Sequence, residues 1–226
     1  MRPVWCLSAA AVLSALWVGP CAAQSTDPLP RYSADVYGAW VGLPTEAGWV
    51  PAVSAATPIP GRGWGASLGA DVHLLRLGFA TFGAGASVAG AQATGASIET
   101  ITTTGGTSTK TEVPTAIVTT RVTNVSPHLS INFGHRFGWS YISAGYGVTK
   151  INSAALAVAT TPALSAPNAW NPALNFGGGA RWFMKQHLGA GFDVRWNKLS
   201  SRATTAAAPG AKRTQLFTMA VGITLQ

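Results

Sequence analysis

Charge is scarce in this chain. Only 10% of the 226 residues are Asp, Glu, Lys or Arg, against about 25% in an average soluble domain. The mean hydropathy is nevertheless positive, at +0.24. Cysteine is limited to Cys6 and Cys21, both inside the first 23 residues, which excludes a disulfide-stapled scaffold for the remainder. No apolar run of about 18 residues follows residue 23, so a transmembrane helix is excluded there. Helix-period patterning is missing throughout. The four histidines, His73, His128, His135 and His187, lack metal-ligand spacing, and no metal or other cofactor is expected. The Gly177-Gly178-Gly179 run is followed by no helix and is not a phosphate loop.

The N-terminus carries Arg2, an apolar stretch over 4–18 and a small-residue run, Gly19-Pro20-Cys21-Ala22-Ala23. This order predicts a secretory signal peptide over 1–23, cleaved after Ala23. Cys21 sits in a loose lipobox, which Pro20 suits poorly. Residues 24–30 form a polar periplasmic spacer, and 31–226 remain as one domain. The formal charge is +8, reduced by one when Arg2 is removed. The basic residues are scattered and the chain is exported, so nucleic acid is not an expected partner. Anionic lipopolysaccharide or phosphate is the partner that suits this charge.

What the chain has in quantity is two-residue alternation. In 216–226, Phe217, Met219, Val221, Ile223 and Leu225 share one face, while Thr218, Ala220, Gly222, Thr224 and Gln226 share the other. Successive strand side chains point to opposite faces, so this strand has one apolar and one small or polar side. About ten such residues make one pass of a transmembrane β-barrel. Eight strands are predicted, over about 32–43, 64–74, 77–91, 122–133, 139–150, 170–183, 188–198 and 213–226. The first has two plausible outer faces, Ala34/Val36/Trp40 or Ala39/Val41/Leu43. The fourth contains Pro127, which costs a ladder bond.

Short connections, near 75–76, 135–138 and 185–187, alternate with long ones at 44–61, 93–118, 151–169 and 199–212. Short periplasmic turns and long outer loops are the outer-membrane arrangement. The long segments are rich in Thr, Ala, Ser, Gly and Pro and read as mobile. Trp40, Trp64, Trp170 and Trp196 fall at strand ends beside long loops, and Trp139 and Trp182 beside short turns. Two aromatic belts at the membrane interfaces would place them so. An eight-stranded barrel is narrow, and inner glycines such as Gly83, Gly85, Gly145, Gly147, Gly177, Gly179, Gly189 and Gly191 leave room for larger neighbours. Those neighbours are Asp71, Arg181, Asp193 and Arg195, an interior ion-pair cluster in which the 185–187 turn brings Arg181 near Asp193. Unpaired charge there would cost several kcal/mol, so a plugged or narrow lumen is expected.

The eight-strand plan, the signal segment and the Phe-x-Met-x-Val-x-Ile-x-Leu terminal strand resemble the small outer-membrane barrels: the OmpA transmembrane domain, OmpX and the opacity-type surface proteins. The glycine-rich hairpin Ala173-Leu174-Asn175-Phe176-Gly177-Gly178-Gly179-Ala180-Arg181 and Gly191-Phe192-Asp193-Val194-Arg195 is similar to theirs. The resemblance implies an all-β, antiparallel up-and-down barrel in the bacterial outer membrane. It implies a monomer that contacts outer-membrane lipids and lipopolysaccharide and is inserted by the barrel-assembly machinery. The chain departs from the family in ending at Leu225-Gln226 rather than in an aromatic residue. The expected role is non-enzymatic: surface loops on a structural barrel. The alternatives are a small-solute pore and a lipid-modifying enzyme centred on His128-Leu129-Ser130, whose spacing matches the His-x-Ser pair of one lipid A deacylase group. That pair faces the lumen, and the neighbouring strand supplies no acid to orient the imidazole. A soluble β-sandwich or lipocalin-like barrel is the alternative fold, with its apolar faces turned inward.

Overall fold

The computed structural model describes residues 27–46, 48–49, 59–102, 110–157, 164–165, 169–203 and 210–226. The signal segment, its cleavage site, Cys6 and Cys21 lie outside the described residues. The described chain is all β. In order, the strands are β1 (Tyr32–Gly42), β2 (Arg62–Leu77), β3 (Ala80–Thr102), β4 (Lys110–His135), β5 (Gly138–Ala157), β6 (Leu164–Ser165), β7 (Trp170–Phe183), β8 (Leu188–Leu199) and β9 (Thr214–Leu225). Sequence neighbours pair antiparallel, save that β7 pairs β5 past the short β6, and β1 pairs β9, so eight strands close into an up-and-down ring. The two-residue β6 adds to β5 through Ala154 and Ala155. Closure leaves the common part of the ring without an unpaired edge.

Alternation sets the two surfaces. The inward positions bury Asp35, Asp71, Ser87, Asn124, His128, Ser143, Asn175, Arg181 and Asp193. The outward positions expose Val36, Leu68, Val88, Leu129, Ile142, Leu174, Phe192 and Val221. Soluble domains bury such apolar residues and expose such charges. Here Ile223, Val36, Leu68, Val88, Val125 and Val148 form one cross-strand row spanning six strands of the outer wall. A continuous apolar girdle of that breadth exceeds the patches a water-exposed monomer carries.

Two expectations are corrected, and one left open is resolved. The β2–β3 hairpin turns at residues 78–79, where Gly78 has φ +60°, and not at 75–76. The shift arises because β2 carries an irregularity between His73 and Leu75 and runs on to Leu77. The segment 93–118 is largely strand: β3 and β4 continue pairing to Thr102↔Lys110, well beyond Trp64↔Gln92 where β2 stops. Its threonines favour a pleated backbone as readily as a loop. In β1, Ala34, Val36 and Trp40 face outward, while Ala39 and Val41 are buried.

Pro127 is accommodated locally. It pairs with Ala86 on β3, but the β4–β5 register passes from Val125↔Val148 to His128↔Gly145 without it. Its missing N–H therefore falls on the β5 side, and the β4–β5 ladder is interrupted there at residues 126 and 127 without a change of register. Gly145 and Gly147 let the two backbones approach there. A Cβ on Gly145 would lie 2.8 Å from His128 Cα, and one on Gly147 2.8 Å from Ser126 Cα.

Candidate functional site

The barrel interior is packed at three levels. At the short-turn end, Leu29, Trp139, Tyr141 and Phe183 form an apolar cluster. Trp139 stacks on Phe183 with centroids 5.0 Å apart, and His73 meets Trp139 edge-on at 5.6 Å. His73 Nδ1 lies 2.6 Å from the Pro30 carbonyl oxygen; a carbonyl only accepts, so Nδ1 carries the proton. Leu29 and Pro30, just before β1, are thereby drawn under the barrel.

The middle level is ionic. Arg181, 1% exposed, donates from Nε to Asp35 Oδ1 at 3.0 Å and from Nη2 to Asp35 Oδ2 at 2.5 Å. It also donates from Nη2 to Asp71 Oδ2 at 2.7 Å. The Asp35 contact is bidentate, the strongest geometry for a guanidinium and a carboxylate. Asp35 also accepts from Tyr37 Oη (3.0 Å) and Thr224 Oγ1 (2.5 Å), and Asp71 is 2.9 Å from His128 Nε2. The guanidinium lies 4.4 Å above the Tyr141 ring. Tyr141 in turn donates its hydroxyl to Asp193 Oδ2. Arg195 donates to Asp193 Oδ1 at 2.7 Å and to Asn175 Oδ1 at 3.0 Å, and Asn175 donates to Asn197 at 2.7 Å. This network draws side chains from β1, β2, β4, β5, β7, β8 and β9. Strand β3 supplies clearance at Gly85, where a Cβ would lie 2.9 Å from Asp71 Cγ. A cavity of about 10 Å³ among Asp35, Tyr37, Asp71, His128 and Arg195 has room for about one water.

At the loop end the interior turns apolar again. Tyr37, Ala39, Val41, Leu43, Ala91, Val122, Ile151, Leu199 and Leu216 pack around Trp49, which is 1% exposed. Gly48, at φ +92°, turns the chain so that this ring enters the mouth; a Cβ there would lie 3.0 Å from Ala211 Cα. Trp49 Nε1 donates to the Lys212 carbonyl at 2.9 Å. The Arg202 guanidinium sits 5.3 Å over the indole and donates to the Gly48 carbonyl at 2.5 Å. Backbone bonds of 2.8 and 2.9 Å join Arg202 and Ala211. These parts of the long loops are therefore fastened to the barrel, contrary to the mobile reading. Arg202 covers Trp49.

Of the predicted interior residues, Asp71 and Arg181 meet directly, as do Asp193 and Arg195. Arg181 is not paired with Asp193. The register sets Arg181 opposite Gly191, and Asp193 opposite Gly179, so Arg181 reaches across to Asp35 and Asp71 instead. Asp35 was missed because the face of the first strand was ambiguous. The signal for it is a lone carboxylate in an otherwise apolar strand, sharing parity with Tyr37. Of the predicted belts, Trp64, Trp170 and Trp182 are exposed on the outer wall, and Trp40 and Trp196 face outward in half-buried aromatic contacts. Trp139 is a correction: it is 3% exposed and faces inward. It shares the parity of Tyr141 and Ser143, and the lumen at that end is apolar enough to take an indole.

The His128–Ser130 pairing does not form. His128 uses Nε2 on Asp71 and has Nδ1 3.2 Å from the Ser126 carbonyl, while Ser130 Oγ accepts from Asn132 Nδ2 at 3.0 Å. The acid that orients the imidazole comes from β2, yet the base is aimed at no nucleophile.

No protein-family model and no curated protein matches the chain. Among solved structures it is similar to Ail, the attachment invasion locus protein of Yersinia pestis. The identity is 10%, the TM-score 0.48, and the match covers 86% of this chain and 95% of that one. Ail in complex with the heparin analogue sucrose octasulfate gives 10% identity and a TM-score of 0.46 over 86% and 95%. Neisserial surface protein A (NspA) gives 9% and 0.44 over 86% and 94%. The strand order of the chain defines its class by itself: a closed eight-stranded antiparallel β-barrel, apolar outside and ionic within. That inversion of the soluble pattern is the one a membrane-spanning barrel requires.

Proposed function

We propose that this chain is an integral, monomeric barrel of the bacterial outer membrane. It is exported by its N-terminal segment, with both strand termini on the periplasmic side and the long loops outside. Its lumen is closed to solutes, and its role is structural and interactive rather than enzymatic, exercised through the loop end. The observation that carries this reading is the interior itself. An aromatic cluster with Leu29, an ionic network across seven strands and an apolar plug around Trp49 lie one above another inside a ring whose outer wall is apolar. Buried charge is tolerated there because each carboxylate has a cationic or hydrogen-bonding partner. A catalytic role finds no support in His128, whose two nitrogens are both occupied.

The test is refolding of the mature chain into phosphatidylcholine vesicles, scored by heat-modifiable gel mobility, followed by planar-bilayer recording. A mobility shift with no steady conductance is expected. A stable conductance would replace the closed barrel with a small-solute pore. Absence of any shift would remove the membrane-barrel reading.

A further inference from the structure

The outer wall carries an asymmetric feature at the loop end. Cross-strand pairing sets Phe176 beside Trp196 and Trp196 beside Phe217. The rings are 5.7 and 5.2 Å apart, and Trp40 meets Phe217 at 6.0 Å. Such an aromatic row marks the bilayer–water interface. One step toward the loops, cations crown it. Lys198 Nζ lies 5.4 Å over Phe176, Arg62 lies 5.9 Å over Trp40, and Lys150 lies 5.7 Å over Trp170.

Within this crown lies a groove of about 570 Å³, lined by Tyr146, Leu174, Lys198, Ser200, Arg213 and Glu46 among others. Tyr146, Leu174, Lys198 and Gln215 form a single row across β5, β7, β8 and β9. Tyr146 and Leu174 are 64% and 50% exposed, an apolar floor facing the lipid side. The walls hold two cations against one carboxylate, Glu46, and among the described residues neither Lys198 nor Arg213 belongs to an ion pair.

Resting on the membrane-barrel reading, we infer that this groove seats a phosphate-bearing lipid of the outer leaflet. The phosphate lies between Lys198 and Arg213, and an acyl chain lies along Leu174, Tyr146 and Phe176. An apolar floor with Lys198 in its own cross-strand row and Arg213 two residues nearer the loops than Gln215 matches an amphiphile better than a free ion. Each interfacial cation is worth about fivefold in affinity for an anionic lipid, so the pair is worth about 25-fold.

The test uses the full mature chain refolded in phosphatidylcholine vesicles, with quenching of its tryptophans by dibrominated phosphatidic acid or dibrominated phosphatidylcholine. The acidic lipid is expected to reach half-maximal quenching at a mole fraction at least tenfold lower. The Lys198→Gln/Arg213→Gln variant is expected to lose that preference, and Arg136→Gln, at the short-turn end, to keep it. Should the double variant fail to fold, K198Q alone is expected to lose about fivefold. Equal quenching by the two lipids, or a preference unchanged in K198Q, overturns the inference. Displacement of the acidic lipid by millimolar inorganic phosphate also overturns it, making the groove a free-phosphate site. Heat-modifiable mobility in neutral vesicles separates the two failures. A chain that inserts without selecting sinks only this inference, whereas one that does not insert sinks the barrel reading beneath it.

Discussion

Arg181→Met removes the cation that holds two carboxylates inside the barrel. Three charge-assisted hydrogen bonds are lost, two to Asp35 and one to Asp71, together with the stacking of the guanidinium on Tyr141. Hydrogen bonds to charged groups are worth about 1.5–3 kcal/mol each. They do not simply add, because ionising the partners in the interior already carries a desolvation cost. Breaking a buried pair by deleting one member costs about 3–5 kcal/mol in all, and that is the expected destabilisation. His128 still bonds Asp71, and Tyr37 and Thr224 still bond Asp35, which argues for the lower part of that range. The assay is urea unfolding in micelles, followed by tryptophan emission and by gel mobility. The diagnostic arm adds Asp35→Asn and Asp71→Asn to Arg181→Met. If uncompensated charge is the cause, the triple variant recovers most of the loss and the coupling energy exceeds 1 kcal/mol. A cost below about 1 kcal/mol for R181M, or strictly additive losses in the triple variant, would refute the assignment of Arg181 as the keystone of the interior.

Two further outcomes follow from the packing. Trp49→Ala should cost about 3 kcal/mol or more, as a buried tryptophan lost from an apolar cluster does. It should leave planar bilayers non-conducting, because the ionic level below it is intact; steady current through W49A would show that the loop-end plug alone closes the lumen. Gly145→Ala should destabilise by about 1–3 kcal/mol, since its Cβ would meet the His128 backbone where β4 and β5 pass Pro127. Gel mobility at graded temperatures would reveal it, and an unchanged transition would mean that β4 relaxes away at no cost.

Much of the barrel is legible in the chain alone. Period-two patterning, scarce charge and the alternation of short and long connections specify an even, antiparallel, closed ring with an apolar outer wall. The inward faces of β2, β5, β7, β8 and β9 follow from parity, because one slip would turn every apolar residue to the wrong side. Strand β1 was undecided for a reason now visible. Near the loops its inward residues Ala39 and Val41 belong to the buried apolar cluster, so both of its faces are apolar and hydrophobicity cannot tell them apart. Trp139 misled in the opposite way: nearness to a turn suggested an interfacial ring, while its parity already assigned it to the lumen.

What only the tertiary structure decided are the contacts across the barrel. Arg181 and Asp193 sit on adjacent strands, yet the guanidinium spans the lumen to Asp35, 146 residues away in sequence. Trp49 is held among the loop-end residues by a backbone carbonyl 163 residues distant. Parity along a strand is a local property, set by the alternation of Cβ directions. Which inward side chains meet depends on how far successive strands are staggered around the ring. That stagger is a global quantity, settled when the whole sheet closes and the interior charges find partners together.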